Sequence, residues 1–581
     1  VNSPLPPFPG IVEPNAVQDS PEFQRILKLP RRDWEKEAKH NDLYKRMTQA
    51  FKLPHGKQEL YLEQAAALAD AHDQKGGIFP LSVGEGKTLV CFLLPVVLLG
   101  IKRPLLLIPA ALDEKTWREF KEYQKHWLCH PAFSTRERFD ASFLSYQTLS
   151  RDSGKDTLNN LRPDMLIVDE AHFLANKNAA CTRRVERYML ANPETVFCGM
   201  SGTITKRSIG DYWHLMYWAL RERMPLPRGV AEMERWAEAL DERKVDAVNR
   251  RAPGVLLQFC TEEERQKAIP QRTAPVGRTQ QMPVFQFTEM LSAARLGYQR
   301  RLTDTPGIVC SPEKNLACSL VIRRLPVDPG PEVQAHLTKL RQERLTPNGN
   351  LLATPRQVWA CARQIACGFF YRWIPPPPMY WLTARNKWNW YVREILNPGA
   401  SLYEQYQYLN LDSPFQVAKA VAGSKAVKED DDFTDKDACT EDEIKEEEPV
   451  QELSPKITDQ RIQEAYREWA AVRKDFKINT VAEWLSDSTV NYCVDWANKN
   501  GPGIIWTDHR AFGEKLAERL GTGFCSRKGL DANKKLIDDY NGKTVVASVA
   551  ANKEGRNLQA WNRNLIVTVF PTGRIIEQLI G

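Results

Sequence analysis

The stretch "GGIFPLSVGEGKTLVCFLLPVVLLG" constrains this chain more than any other. A short apolar run, a glycine-bearing turn and a long apolar run follow one another directly, which predicts a buried strand, a tight loop and a buried helix. Gly84, Gly86, Lys87 and Thr88 form G-x-G-K-T, and Leu81 stands where the longer G-x-x-x-x-G-K-[ST] pattern has its first glycine. Glycines let backbone N–H groups turn inward around an anion, and a helix that starts there offers its positive end. The anion that suits such a loop is a triphosphate. Gly84, Glu85 and Gly86 would line it, Lys87 would reach its β- and γ-phosphates, and the Thr88 hydroxyl would hold Mg2+. The pattern therefore predicts a nucleotide's phosphates with Mg2+.

Further along, "DMLIVDEAHFL" carries an apolar strand, Met165 to Val168, which delivers Asp169 and Glu170 at its carboxyl end. Open α/β sheets bind their ligands at that edge. Charge divides the work: Asp169 would hold Mg2+, and Glu170 would orient and deprotonate the attacking water.

With "DEAH" the chain resembles superfamily 2 helicases and translocases, most closely the Snf2-like (DEAH-box) branch, including versions carried by bacteriophages. The resemblance implies an α/β fold of two RecA-like P-loop NTPase lobes with helical insertions. Gln64, in "LYLEQAAAL", resembles the glutamine that reads adenine; its other reading is a glutamine on a helix surface. "LLLIPAAL" with "WREF" is similar to motif Ia, and "SYQTLSR" to motif Ib, which implies nucleic-acid contacts for Tyr146 and Gln147. His172 of the DEAH box and Ser201, Gly202 and Thr203 of "MSGTITKRSIGDYWHLMYWAL" are implied to couple nucleotide state to the rest of the lobe. Asn178, Thr182 and Arg183 fit the Asn/Lys-rich segment that often follows the Snf2-like DEAH box, or form a polar helix start.

The second lobe opens with "VWACARQIACGFFY". "GPGIIWTDHRAFGEKLAERL" reads as strand then amphipathic helix and resembles motif IV. "KTVVASVAANKEGRNLQAWNRNLIVTVF" reads as strand, loop and strand. Its "EGRNL" resembles motif V, implying Gly555 at the nucleotide and Asn557 at the nucleic acid. "QLIG" matches the first half of motif VI, with Gln578 in a catalytic position. The family pattern continues with two arginines that stabilise charge on the γ-phosphate, so Gly581 is expected to be a cut rather than a natural end.

The expected layout is an N-terminal extension over 1–55, a first lobe over 56–224, an inter-lobe helical region over 225–350, and a second lobe over 351–581. In "RWIPPPPMYWLTARNKWNWYV" four prolines break any helix, and the crowded aromatics are expected to form a packed loop in preference to a base-stacking surface. The net charge of +7 conceals an acidic run, Lys428 to Glu448, with twelve acids and three lysines. That run is expected to be a solvated linker, and it leaves the remainder strongly basic, which suggests a polyanionic partner. The apolar stretch Thr88 to Ile101 lies between two lysines, is interrupted by Pro95 and is too short for a bilayer. No signal peptide is visible, and twelve cysteines without a CxxC pair are expected to be reduced thiols, so an intracellular location is expected.

These features imply an ATP-dependent DNA translocase or helicase acting on double-stranded DNA in replication, recombination, repair or remodelling, with a protein loading partner possible and no membrane association. A DEAH-type RNA helicase and a clamp without turnover are the alternatives.

Overall fold

A computed structural model describes residues 15–32, 42–82, 84–151, 154–202, 208–241, 250–268, 284–311, 321–352, 354–423, 456–526, 529–552, 558, 560–568 and 579. Thr203, Gly555, Asn557, Gln578 and the acidic run 428–448 lie outside them. The chain divides into two compact units, one of Val1–Pro109 with Asp113–Lys314, the other of Ala110–Leu112 with Asn315–Gly581. It is an α/β protein with two parallel sheets, as expected for tandem RecA-like lobes.

The first unit is built on five parallel strands: β1 (Gly77–Phe79), β2 (Pro104–Ile108), β3 (Phe143–Ser145), β4 (Met165–Val168) and β5 (Val196–Met200), in the order β1-β5-β4-β2-β3. The run "PLLLI" of β2 and "MLIV" of β4 are buried at every position. Leu105, Leu107, Leu166 and Val168 join one core cluster, and the alternate residues Leu106, Ile108, Met165 and Ile167 are buried outside it. Side chains alternate across a strand, so both faces of this sheet are covered, which is why its strands read as continuous apolar runs. An aromatic cluster in the same unit links Phe92 of helix Lys87–Val97 to Phe120 of helix Asp113–Tyr123 and to Phe133, at 4.9 and 5.4 Å between ring centroids.

Segments of the expected N-terminal extension and inter-lobe region contribute to the first unit's core. The N-terminal helix Pro21–Lys28 is part of the first unit's core, where Phe23 packs 5.4 Å from Phe259 and 6.2 Å from Trp236. Helices Val230–Leu240 and Val284–Thr303 close the same cluster through Trp236 and Tyr298, 5.7 Å apart. Residues of the region expected between lobes, as far along as Ile308, thus complete the first unit's core, because these large aromatics find their burial there.

In the second unit β8 (Ile504–Thr507), β9 (Phe524–Cys525), β10 (Val545–Ser548) and β11 (Asn564–Ile566) form a parallel sheet in the order β11-β8-β10-β9. Helix Arg510–Leu520 follows β8 as its pattern predicts. β6 (Phe369–Trp373) and β7 (Thr480–Trp484) form a separate antiparallel pair. Between them in sequence lies a helical core of its own. "MYWLTARNKWNWYV" is the start of helix Met379–Leu396, not a loop. Its prolines precede the helix, and Trp381 and Trp388 pack against Trp469 and Tyr466, each pair 5.2 Å apart. Among the described residues no helix is long and apolar enough to cross a membrane.

Candidate nucleotide site in the first unit

The loop after β1 leads directly into helix Lys87–Val97. Gly86, its N-cap, sits at φ 68°, ψ 37°, and no side chain caps the helix. Gly84 also has positive φ, 86°, and a Cβ there would meet nothing. Gly86 is more constrained: a Cβ there would run into the side-chain nitrogen of Gln64. An uncapped helix start behind two left-handed glycines has the geometry that suits an anion.

Gln64 is buried and not a surface glutamine. It sits in the first turn of helix Leu62–Gln74, where its Oε1 accepts from the Tyr61 N–H at 2.9 Å. Its Nε2 donates to the Glu85 carbonyl at 2.8 Å. In this conformation the amide braces the loop.

Strand order explains how distant motifs meet. β5 lies between β1 and β4, so the loop and the DEAH box stand two strands apart, ~10 Å at the usual spacing. Lys87 spans that gap: its Nζ lies 3.9 Å from Glu170 Oε1 and donates to the Leu81 carbonyl at 3.3 Å. Ser201, just past the end of β5, falls between them, with its hydroxyl 3.2 Å from His172 Nδ1. The same nitrogen is 3.1 Å from Glu170 Oε2. Glu170 itself is left-handed at φ 56°, ψ 53°, and its N–H is 3.0 Å from Asp169 Oδ1. Such backbone strain in a non-glycine residue occurs where the surrounding structure holds it. Lys87, Asp169, Glu170, His172 and Ser201 are therefore one cluster. Thr88 occupies the second position of the helix, half-buried, and Gly202 directly follows Ser201.

Asp169 and Glu170 are both buried. Burial, and then the neighbouring Glu170 carboxylate, push the Asp169 carboxyl up, with Lys87 and Lys115 opposing. Two adjacent buried acids favour a divalent cation, and the cradle with Lys87 suits a triphosphate, so the residues fit ATP with Mg2+. Asp169 and Thr88 would hold the cation, and the glycine loop with Lys87 would hold the phosphates. A metal held there would supply charge neutralisation at the phosphates.

Tyr146 departs from expectation. It is buried, its hydroxyl donates to the Asp169 carbonyl at 2.6 Å, and its ring stacks on Phe173 at 5.0 Å. Enclosed in this way, the side chain braces the DEAH turn. Gln147 beside it is half-buried. Thr182 is also buried, its hydroxyl bonded to the Leu174 carbonyl at 3.3 Å, which makes it part of the helix packing. Ser311, which no motif marks, reaches the loop from more than two hundred residues away: its hydroxyl accepts from the Ser82 N–H at 2.9 Å.

Residues 38–206 match the family described as "Type III restriction enzyme, res subunit". No curated protein matches the chain. Among solved structures it is similar to the Hef helicase domain of Pyrococcus furiosus, at 12% identity and TM-score 0.31, covering 89% of this chain and 91% of that one. It is similar to the SWI2/SNF2 ATPase core of Sulfolobus solfataricus in complex with dsDNA, at 13% and 0.28, covering 88% and 82%. It is similar also to T4 UvsW, at 10% and 0.23, covering 93% and 69%. The matched segment, under a third of the chain, holds the glycine loop and the DEAH box, and it is this segment that is similar to that family.

Proposed function

We propose that this chain is an ATP-dependent DNA translocase or helicase of the Snf2-like type, coupling ATP hydrolysis to movement on duplex DNA. The observation that carries the reading is the convergence of Lys87 and Glu170, 3.9 Å apart at the carboxyl edge of a parallel sheet, beside the left-handed glycine loop. Lys87 has the charge to steady the terminal phosphates. Glu170 has the base to take a proton from water, and Asp169 beside it has the carboxylate for Mg2+. His172, in contact with both Glu170 and Ser201, is suited to pass the state of the site to the strand end after β5.

The choice of duplex DNA rests on the sequence resemblance to the Snf2-like branch and on the basic balance outside the acidic run. Gln578, Gly555 and Asn557 enter the proposal on their motif positions alone. Phosphate contacts would dominate such binding, so affinity should be sequence-tolerant and fall steeply with salt. The experiment is polymer affinity by anisotropy, titrated with salt, for duplex DNA, single-stranded DNA and RNA. Tightest binding to duplex DNA, indifferent to sequence, supports the reading; a clear preference for RNA replaces it with an RNA helicase.

A further inference from the structure

The chain leaves the first unit beside the phosphate loop. After helix Val284–Thr303, residues 307–311 run parallel to β1 along its outer edge. The Ile78 N–H donates to the Gly307 carbonyl at 2.8 Å, the Val309 N–H to the Ile78 carbonyl at 3.3 Å, and the Ser311 N–H to the Pro80 carbonyl at 3.1 Å. This edge is anchored from helix Leu62–Gln74, whose Asp70 accepts from the Gly307 N–H at 2.5 Å and pairs with Arg32. At its end Ser311 does two things: it accepts from the Ser82 N–H at 2.9 Å, and it donates to the Glu85 carboxylate. Glu85 is thus gripped twice, its carbonyl by Gln64 and its carboxylate by Ser311.

Glu85 sits between the two glycines of an anion-binding loop, where a carboxylate is the wrong charge. Free to turn, it would lie well within a Debye length of any bound phosphate and repel it. Held by a hydroxyl on the β1 side, it is fixed and its charge is partly offset by a charge-assisted hydrogen bond. We infer that Ser311 is a positioning residue for the nucleotide, which holds the Glu85 carboxylate against the β1 edge and ties the phosphate loop to the segment by which the chain leaves the first unit. The inference deepens the ATP-site reading and rests on it.

The test is binding of a fluorescent ATP analogue to the full chain carrying Ser311→Ala, Ser311→Thr, or Ser311→Ala with Glu85→Gln, with thermal melting as the check on folding. Loss of the hydroxyl should weaken binding about tenfold, the size expected of one hydrogen bond to a charged group. Threonine should keep affinity within about threefold, since it retains the donor. Glu85→Gln in the Ser311→Ala background should restore most of the loss, because the repelling charge is gone; a merely structural defect would not be repaired that way. If Ser311→Ala does not fold, the isosteric pair Ser311→Thr and Ser311→Val replaces it. Unchanged affinity without the hydroxyl, or no recovery in the double variant, overturns the inference. A wild-type chain that binds no ATP analogue at all would instead overturn the ATP-site reading beneath it.

Discussion

Replacing Gly86 by alanine tests how the phosphate loop is held. At φ 68° an alanine costs about 1–2 kcal/mol that glycine does not. Its Cβ would also occupy the place of Gln64 Nε2, displacing the 2.8 Å hydrogen bond to the Glu85 carbonyl. One such bond contributes about 0.5–1.5 kcal/mol. Together the two terms disfavour the observed loop by about 1.5–3.5 kcal/mol, and if that loop is the one that receives phosphate, apparent affinity falls roughly 10- to 400-fold. Titration of a fluorescent ATP analogue measures this directly. In a Gln64→Ala background the collision is absent, so the same Gly86→Ala change should cost only its backbone term, about 1–2 kcal/mol or roughly 5- to 30-fold. The reasoning fails if Gly86→Ala binds within about threefold of wild type, or if its cost is equal in both backgrounds.

Lys87→Ala should remove most nucleotide binding while leaving the melting temperature within a few degrees, read by the same titration and by thermal denaturation, because its amine serves the site and only one carbonyl bond of the fold. Tyr146→Phe leaves the buried Asp169 carbonyl without its 2.6 Å donor and should cost about 1–3 kcal/mol in urea unfolding, with DNA affinity unchanged because the ring is enclosed. Burial lowers His214 from 6.5 to about 4 in the folded chain, against a partly offsetting bond to the Leu174 carbonyl. Between those values the unfolded state carries a proton that the folded state does not, so stability is full above pH 6.5 and is lost as pH falls towards 4. The loss from this one group is about 2 kcal/mol at about pH 5, and His214→Gln should flatten the urea-midpoint profile over that window.

What could be read from the sequence was local. β1, the glycine loop and helix Lys87–Val97 are contiguous, and β4 carries Asp169 and Glu170 on the next residues, so periodicity and residue type were sufficient there. What pairs over distance could not be read. Ser311 lies 226 residues from Glu85, and nothing near it marks a partner. Phe23 and Trp236 each look like an ordinary apolar anchor; only packing shows that they anchor the same core. The resemblance of "SYQTLSR" to motif Ib gave no hint that the turn from β3 into helix Tyr146–Ser150 folds the Tyr146 ring inward beneath Asp169. Four prolines likewise suggested a loop at 375–378, although they stand just ahead of a helix whose buried tryptophans sit at positions 381 and 388, seven residues apart.

In the proposed function Glu170, beside Lys87 and His172 at the end of β4, would drive ATP hydrolysis that nucleic acid accelerates. Phosphate release by wild type and by Glu170→Gln, each with and without duplex DNA, tests it most directly. The account predicts turnover in the wild type that rises with duplex DNA, and loss of about 10²- to 10⁴-fold in Glu170→Gln with nucleotide binding retained. Wild-type turnover that ignores every polymer, or a Glu170→Gln variant as active as wild type, would contradict it.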